Sequence, residues 1–184
     1  MTRSHEDQSA QPPHRLASFK AFTWPVAPGL NGELIDVRSV PASTSFGDHT
    51  TSLMDRGRRL VFVTAFHPDK RLLLGYVFRR EEYPWTQLWE FYPGDDRLAR
   101  GLEFASQPFD VPRREVIQTN AMFDTPTYRW LPAKSIIGSA FLMFYTRTPT
   151  GFRKVDDVVL EGRRLTIRDR ASAITIELTA SRAL

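Results

Sequence analysis

Acid–base chemistry near neutral pH needs a carboxylate or imidazole whose surroundings tune its proton affinity. Two stretches of this chain offer one. The first is Gly47-Asp48-His49-Thr50-Thr51, a polar run whose neighbours can orient an imidazole. The second is Arg100-Gly101-Leu102-Glu103-Phe104, where extended-chain alternation turns Glu103 away from Leu102 and Phe104. If the face carrying Glu103 lines a cleft, partial desolvation raises its pKa and suits it to act as a general base. If that face meets open solvent, the carboxylate is ornamental. His67 precedes Pro68 in a turn-like run and reads as an exposed loop residue, while His5 and His14 fall in the N-terminal segment. A lone loop histidine such as His49 is more often structural than catalytic.

Other chemistries are thinly represented. The chain has no cysteine, so disulfides, thiolate zinc sites, iron–sulfur clusters and cysteine nucleophiles are excluded together. No His-x-x-x-His or Asp-x-Asp-x-Asp-Gly spacing occurs, and no bound metal is expected. Neither a phosphate-cradling glycine loop nor Gly-x-Ser-x-Gly is present, and no cofactor is expected. What stands out is Tyr83-Pro-Trp-Thr-Gln-Leu-Trp-Glu-Phe-Tyr92 followed by Arg100–Asp110, a mixture of aromatics with Arg, Glu, Gln and Asp. Sugars present apolar C–H faces beside many hydroxyls, so a site for them needs aromatic platforms and directional hydrogen-bonding groups. The plainer reading is a strand with its aromatics inward and its charges in water.

The elements that must position these residues read mostly with a period of two. Arg59–Phe66 and Arg71–Phe78 are rich in β-branched and aromatic residues and flank the turn chemistry of His67-Pro-Asp-Lys70, which makes a β-hairpin. Thr86–Tyr92 is a further strand bounded by Pro84 and Pro93-Gly94, and Ser135–Thr146 is a long aromatic-rich one. Val155–Leu160, Arg164–Arg168 and Ala173–Leu178 form a meander with a tight Glu161-Gly162 turn. No helical period is sustained, and the 13 prolines argue the same way. The expected class is all-β, a sandwich or barrel, with long loops at Pro41–Asp55 and Gln107–Tyr128. Residues 1–15 hold almost no large apolar side chain and read as a disordered tail, leaving 16–184 as a single β-sandwich domain.

With 184 residues, 41% hydrophobic and 12% aromatic, the chain can bury a core. No apolar run approaches the roughly 20 residues of a membrane helix, and the N-terminus lacks a secretory apolar core, so a cytoplasmic protein without membrane contact is expected. The formal charge is +4. All the basic residues but Lys20, Lys70, Lys134 and Lys154 are arginines, scattered in pairs beside acids rather than clustered, so no nucleic-acid partner is expected.

At Gly101-Leu-Glu-Phe-Ala-Ser-Gln-Pro-Phe-Asp110 the sequence resembles the galactose mutarotase-like (aldose 1-epimerase) superfamily, which carries a Leu-Glu-Thr-Gln strand followed shortly by Pro-Asp. Leu74–Phe78 followed by Tyr83–Trp89 looks similar to the family's upstream strand and aromatic stretch. Pro126-Thr-Tyr-Arg-Trp-Leu-Pro-Ala133 sits where the family has its loop before the last long strand. The likeness covers roughly Leu60 to Thr146, the C-terminal part of the fold, and is nearest to an uncharacterised bacterial branch. It implies an antiparallel supersandwich shortened at the N-terminus. It also implies a sugar ligand, with Glu103 as base on the anomeric hydroxyl and a partner acid, for which His49, the ordered histidine at hand, or a water is the candidate. Trp85, Trp89, Arg100, Gln107 and Asp110 are the expected sugar contacts by chemistry and neighbourhood. The alternatives are a sugar-binding module without turnover, or a small-ligand barrel of lipocalin type. A shortened sandwich would leave an apolar sheet face, so either a homo-oligomer or a smaller self-contained sandwich is expected.

Overall fold

A computed structural model describes residues 2–5, 13–38, 40, 45–94 and 99–184. In chain order the first strands are β1 (Thr2–His5), β2 (Ala21–Phe22), β3 (Val26–Pro28), β4 (Leu34–Asp36) and β5 (Phe46–Leu53). Next come β6 (Leu60–His67), β7 (Leu72–Arg79), β8 (Trp85–Tyr92) and β9 (Ala99–Ala105). The short helix α1 (Arg113–Thr119) and the small strands β10 (Ala121–Met122) and β11 (Thr125–Pro126) follow, then β12 (Phe141–Arg147), β13 (Asp157–Glu161), β14 (Arg164–Asp169) and β15 (Ile174–Thr179). The protein is all-β, as expected, with antiparallel sheets throughout. No sheet among the described residues closes into a barrel, the architecture a lipocalin-type reading requires. None of the described helices is long and apolar enough to cross a membrane.

The chain divides into two compact units: Met1–Met54 with Pro84–Trp130, and Asp55–Tyr83 with Leu131–Leu184. The second is a small sandwich. Its sheets are β12-β7-β6 and β13-β14-β15, and their inner rows meet in a cluster of Leu73, Val77, Phe144, Phe152, Val158, Leu165, Ile167 and Ile176. The period-two apolar pattern that marks β6, β7, β14 and β15 in the sequence thus has its cause in this shared core. Phe144 lies directly across from Gly75, and the missing side chain of Gly75 leaves room for its ring. The Ser135–Thr146 strand is shorter than expected, beginning at Phe141.

The first unit holds the five-stranded sheet β2-β1-β5-β8-β9. On one face the β3–β4 hairpin packs Ala27 and Val37 against Leu16 and Leu88. At one end Trp85 joins Phe109 and Met122 in a second cluster. Both expected long loops carry regular structure: β5 lies within Pro41–Asp55, and α1, β10 and β11 within Gln107–Tyr128. Of the segment read as a tail, Thr2–His5 pairs with β2 and β5, and Arg15 is hydrogen-bonded to Asp48. Backbone pairing and charge hold these residues, which apolar composition does not register. Residues 1 and 6–12 of that segment lie outside the described residues.

Candidate active site

Register decides which side chains can meet. In antiparallel strands, residues directly opposite one another point to the same face. His49 of β5 faces Trp89 of β8, Thr51 faces Gln87, and Gln87 in turn faces Glu103 of β9, while Trp89 faces Gly101. His49, Gln87, Trp89, Gly101 and Glu103 therefore share one face of the β5-β8-β9 sheet. From strand spacing and rise, the Cα atoms of His49 and Glu103 lie roughly 12 Å apart, with Gln87 between them.

A chain of hydrogen bonds fixes the middle of this face. Gln87 donates its Nε2 to the carbonyl of Gln107 at 3.0 Å, which turns its Oε1 toward His49. That oxygen can only accept, so His49 Nε2, at 2.9 Å, carries the proton and donates it. Both side chains are buried, at 5% and 4% exposure. Gln107 itself donates to the carbonyl of Phe109 at 3.0 Å, pinning the turn after β9. Glu103 differs: it is exposed, and its backbone carbonyl accepts from Thr86 Oγ1 at 2.7 Å. Its carboxylate leans over Gly101, where a Cβ would stand 3.2 Å from Oε1 and 3.5 Å from the Cβ of Trp89. Glycine at 101 thus keeps the notch between the Trp89 indole and the carboxylate open. Trp89 stacks on Phe91 with centroids 5.6 Å apart and planes 8° from parallel, a half-buried aromatic wall beside the notch.

The remaining expected contacts divide. Gln107 joins the site through its backbone carbonyl. Trp85 shares the face but is fully buried, its indole N–H donating to the carbonyl of Pro126 at 3.3 Å; it is a core residue and offers no platform. Arg100 points to the opposite face, because it alternates with Gly101 and Glu103. Asp110 is exposed in the segment beyond Gln107. The role of Gln87, which joins imidazole to turn, went unnoticed in the sequence because it depends on register between distant strands.

The opposite face carries a second ionic cluster. Asp48 Oδ1 accepts from the backbone N–H groups of Arg15 and Leu16, each at 3.0 Å, and Oδ2 from Arg15 Nε at 3.2 Å. Glu90, 1% exposed, lies 3.4 Å from Arg15 and 3.6 Å from Arg100. Burial pushes the Glu90 carboxyl above its usual range, against the pull of the Arg100 and Arg15 guanidiniums. Burial, and then the Glu90 charge, push the Tyr92 phenol up as well. Arg15 also stacks 3.8 Å from the Phe46 ring centroid. Every group here has a partner, and the arrangement anchors chain rather than binding a ligand. No group of histidines and carboxylates that could hold a metal ion occurs among the described residues.

No family model, no curated protein and no solved structure matches this chain.

Proposed function

We propose that the His49–Gln87–Glu103 face binds a sugar in the manner of the aldose 1-epimerases, in the cytoplasm. In this reading Glu103 takes the proton of the anomeric hydroxyl and Trp89 packs against the apolar face of the ring. The observation that supports it is the register that sets the carboxylate beside an indole across an unfilled glycine, where a ring packed on Trp89 would cover the exposed Glu103 and withdraw it from open solvent. As the ring opens and the C1–O bond breaks, the ring oxygen must gain a proton, which leaves again when the ring closes. His49 has its Nε2 proton committed to Gln87, so in this scheme water delivers that proton and His49 holds Gln87 in place. A general base contributes about 10²–10⁴-fold. Anomer exchange of simple aldoses, followed by NMR, should therefore fall at least about a hundredfold in Glu103→Gln. An unchanged rate removes Glu103 from the mechanism.

The burial of His49 specifically favours a second reading, a sugar-binding module without turnover. Here the same face binds, affinity disappears in Trp89→Ala, and exchange runs no faster than in buffer. Absence of both binding and exchange across an aldose panel would overturn both readings.

A further inference from the structure

The β12 edge of the second unit carries features of an interface. Among the described residues β12 is an outermost strand of its sheet, paired on one side to β7. Natural edge strands are commonly blunted with charges, prolines or bulges. β12 reads Phe141-Leu-Met-Phe-Tyr-Thr-Arg147, with a single charged residue at its very end. Its inner row, Leu142 and Phe144, belongs to the sandwich core. Its outer row is exposed: Phe141 47%, Met143 58% and Tyr145 63%. The preceding connection adds exposed Leu131, Ile136 and Ile137.

The sequence of β12 is complementary to itself when run antiparallel. The register that pairs all seven residues of the strand centres on Phe144, facing its own copy. In that register Phe141 lies opposite Arg147 of the second copy and Met143 opposite Tyr145. Each copy thus contributes an arginine over an aromatic ring and a thioether against an aromatic ring, both attractive pairings. The only charge of the strand avoids its like. Shifting the centre to Met143 or Tyr145 loses both the Phe141–Arg147 pairing and part of the overlap. Outer row continues into outer row and core row into core row, so the two three-stranded sheets become one of six strands.

We propose that the protein forms a twofold homodimer through antiparallel pairing of β12 with β12 of a second copy, centred on Phe144. This inference is independent of the sugar reading. Because a strand paired on both sides takes no third neighbour, association through β12 closes at two.

Charge placement tests the partner and the register together. Analytical ultracentrifugation of the full chain, loaded up to about 200 µM so that a dissociation constant near 10⁻⁵ M is visible, should give twice the 21.1 kDa chain mass. Phe141→Arg sets like charges opposite each other twice per dimer, and should raise the dissociation constant at least about tenfold. Adding Arg147→Glu to that variant places opposite charges at both sites and should restore the dimer. Positions 141 and 147 are exposed, and far-UV circular dichroism confirms that each variant keeps its fold. A monomer at all loadings, species larger than a dimer, indifference to Phe141→Arg, or failure of the paired change to restore association would each overturn the proposal.

Discussion

Gly75→Ala tests the packing of the second unit with one methyl group. Gly75 sits mid-strand in β7, on the inner row, directly across from Phe144. A Cβ built there would stand 2.2 Å from Phe144 Cζ, 2.6 Å from Cε1 and 2.9 Å from Cε2. Ordinary contact begins near 3.4 Å, so the ring must retreat by more than an ångström. It has nowhere to go: Phe144 is 6% exposed and lies among Leu73, Val77, Phe152, Leu165 and Ile167. Overpacking of this kind costs about 1–3 kcal/mol. The lost freedom of glycine in the unfolded chain returns about 0.4–1 kcal/mol. A net destabilisation of about 1–2 kcal/mol remains, which at a urea slope of about 1–2 kcal/mol/M lowers the unfolding midpoint by roughly 1 M. The assay is urea unfolding followed by far-UV circular dichroism, because Trp24, Trp85, Trp89 and Trp130 all lie in the first unit and their fluorescence follows that unit instead. Gly138→Ala is the control, since a Cβ there meets nothing within 4 Å. Phe144→Leu in the Gly75→Ala background should recover part of the loss relative to the sum of the single changes. If Gly75→Ala matches Gly138→Ala within about 0.5 kcal/mol, the close approach of ring to backbone is wrong.

Further outcomes follow from the first unit. Glu90 holds its proton more tightly folded than unfolded, so its contribution to stability declines as pH rises above the ordinary 4.5 toward its raised folded value. Urea midpoints between pH 4 and 8 should therefore show a downward component that Glu90→Gln removes; parallel profiles would show that Glu90 does not titrate as its burial demands. Asp169 contributes with the opposite sign. The Ser172 hydroxyl, and then the backbone N–H groups of Arg153, Ser172 and Lys154, hold its carboxylate well below the usual range, so its stabilisation is present above pH 3.8 and is lost on acidification below it. Asp169→Asn should accordingly flatten the acid limb of the second unit's profile, and an unaltered limb would discount those bonds. Gly101→Ala should leave stability within about 0.5 kcal/mol, because the exposed Glu103 carboxylate can yield a few tenths of an ångström. If Glu103 is the base proposed above, the displaced carboxylate should nonetheless slow anomer exchange about tenfold; exchange that responds to Glu103→Gln but not to Gly101→Ala would mean its placement is unimportant.

Much of the second unit could be read directly from the chain, for a physical reason. Strands β6, β7, β13, β14 and β15 bury one side against a single apolar cluster, so burial and alternation coincide. β5 shows no apolar alternation because, beside Phe46 and Gly47, its buried residues are Asp48, His49, Thr50 and Thr51. Asp48, His49 and Thr51 are answered by Arg15, Gln87 and the carbonyl of Thr86, groups that lie far away in sequence, and polarity there looks like a loop. α1 is seven residues long, too short for a helical period to emerge. At the site, alternation gave the side on which Glu103 stands. The same alternation places Arg100 on the other side, beside Leu102, and so separates it from the glutamate it seemed to accompany. Trp85 and Trp89 stand in equivalent positions along β8; only the cover supplied by Phe109 and Met122 makes one a core residue and leaves the other half-open. That cover comes from a segment over twenty residues downstream, beyond the reach of local pattern.

Arg15 gives the start of the chain a weight that its composition conceals. A chain trimmed to begin at Leu16, the boundary that polarity alone invites, keeps the apolar cluster of Leu16, Ala27, Val37 and Leu88. Besides the pairing of β1 with β2 and β5, it loses the guanidinium and the backbone amide of Arg15. Those two groups answer Asp48 and half of Glu90, carboxylates that sit inside the protein at 3% and 1% exposure. Stranding a buried ion in this way costs about 3–5 kcal/mol, a large part of the 5–15 kcal/mol that holds a typical domain together. The first unit is therefore built so that its interior is electrically complete only when its outermost strand of polar chain is in place. A proteolytic nick just after Arg15 would act less like pruning a loose end than like withdrawing a counter-ion from a salt crystal.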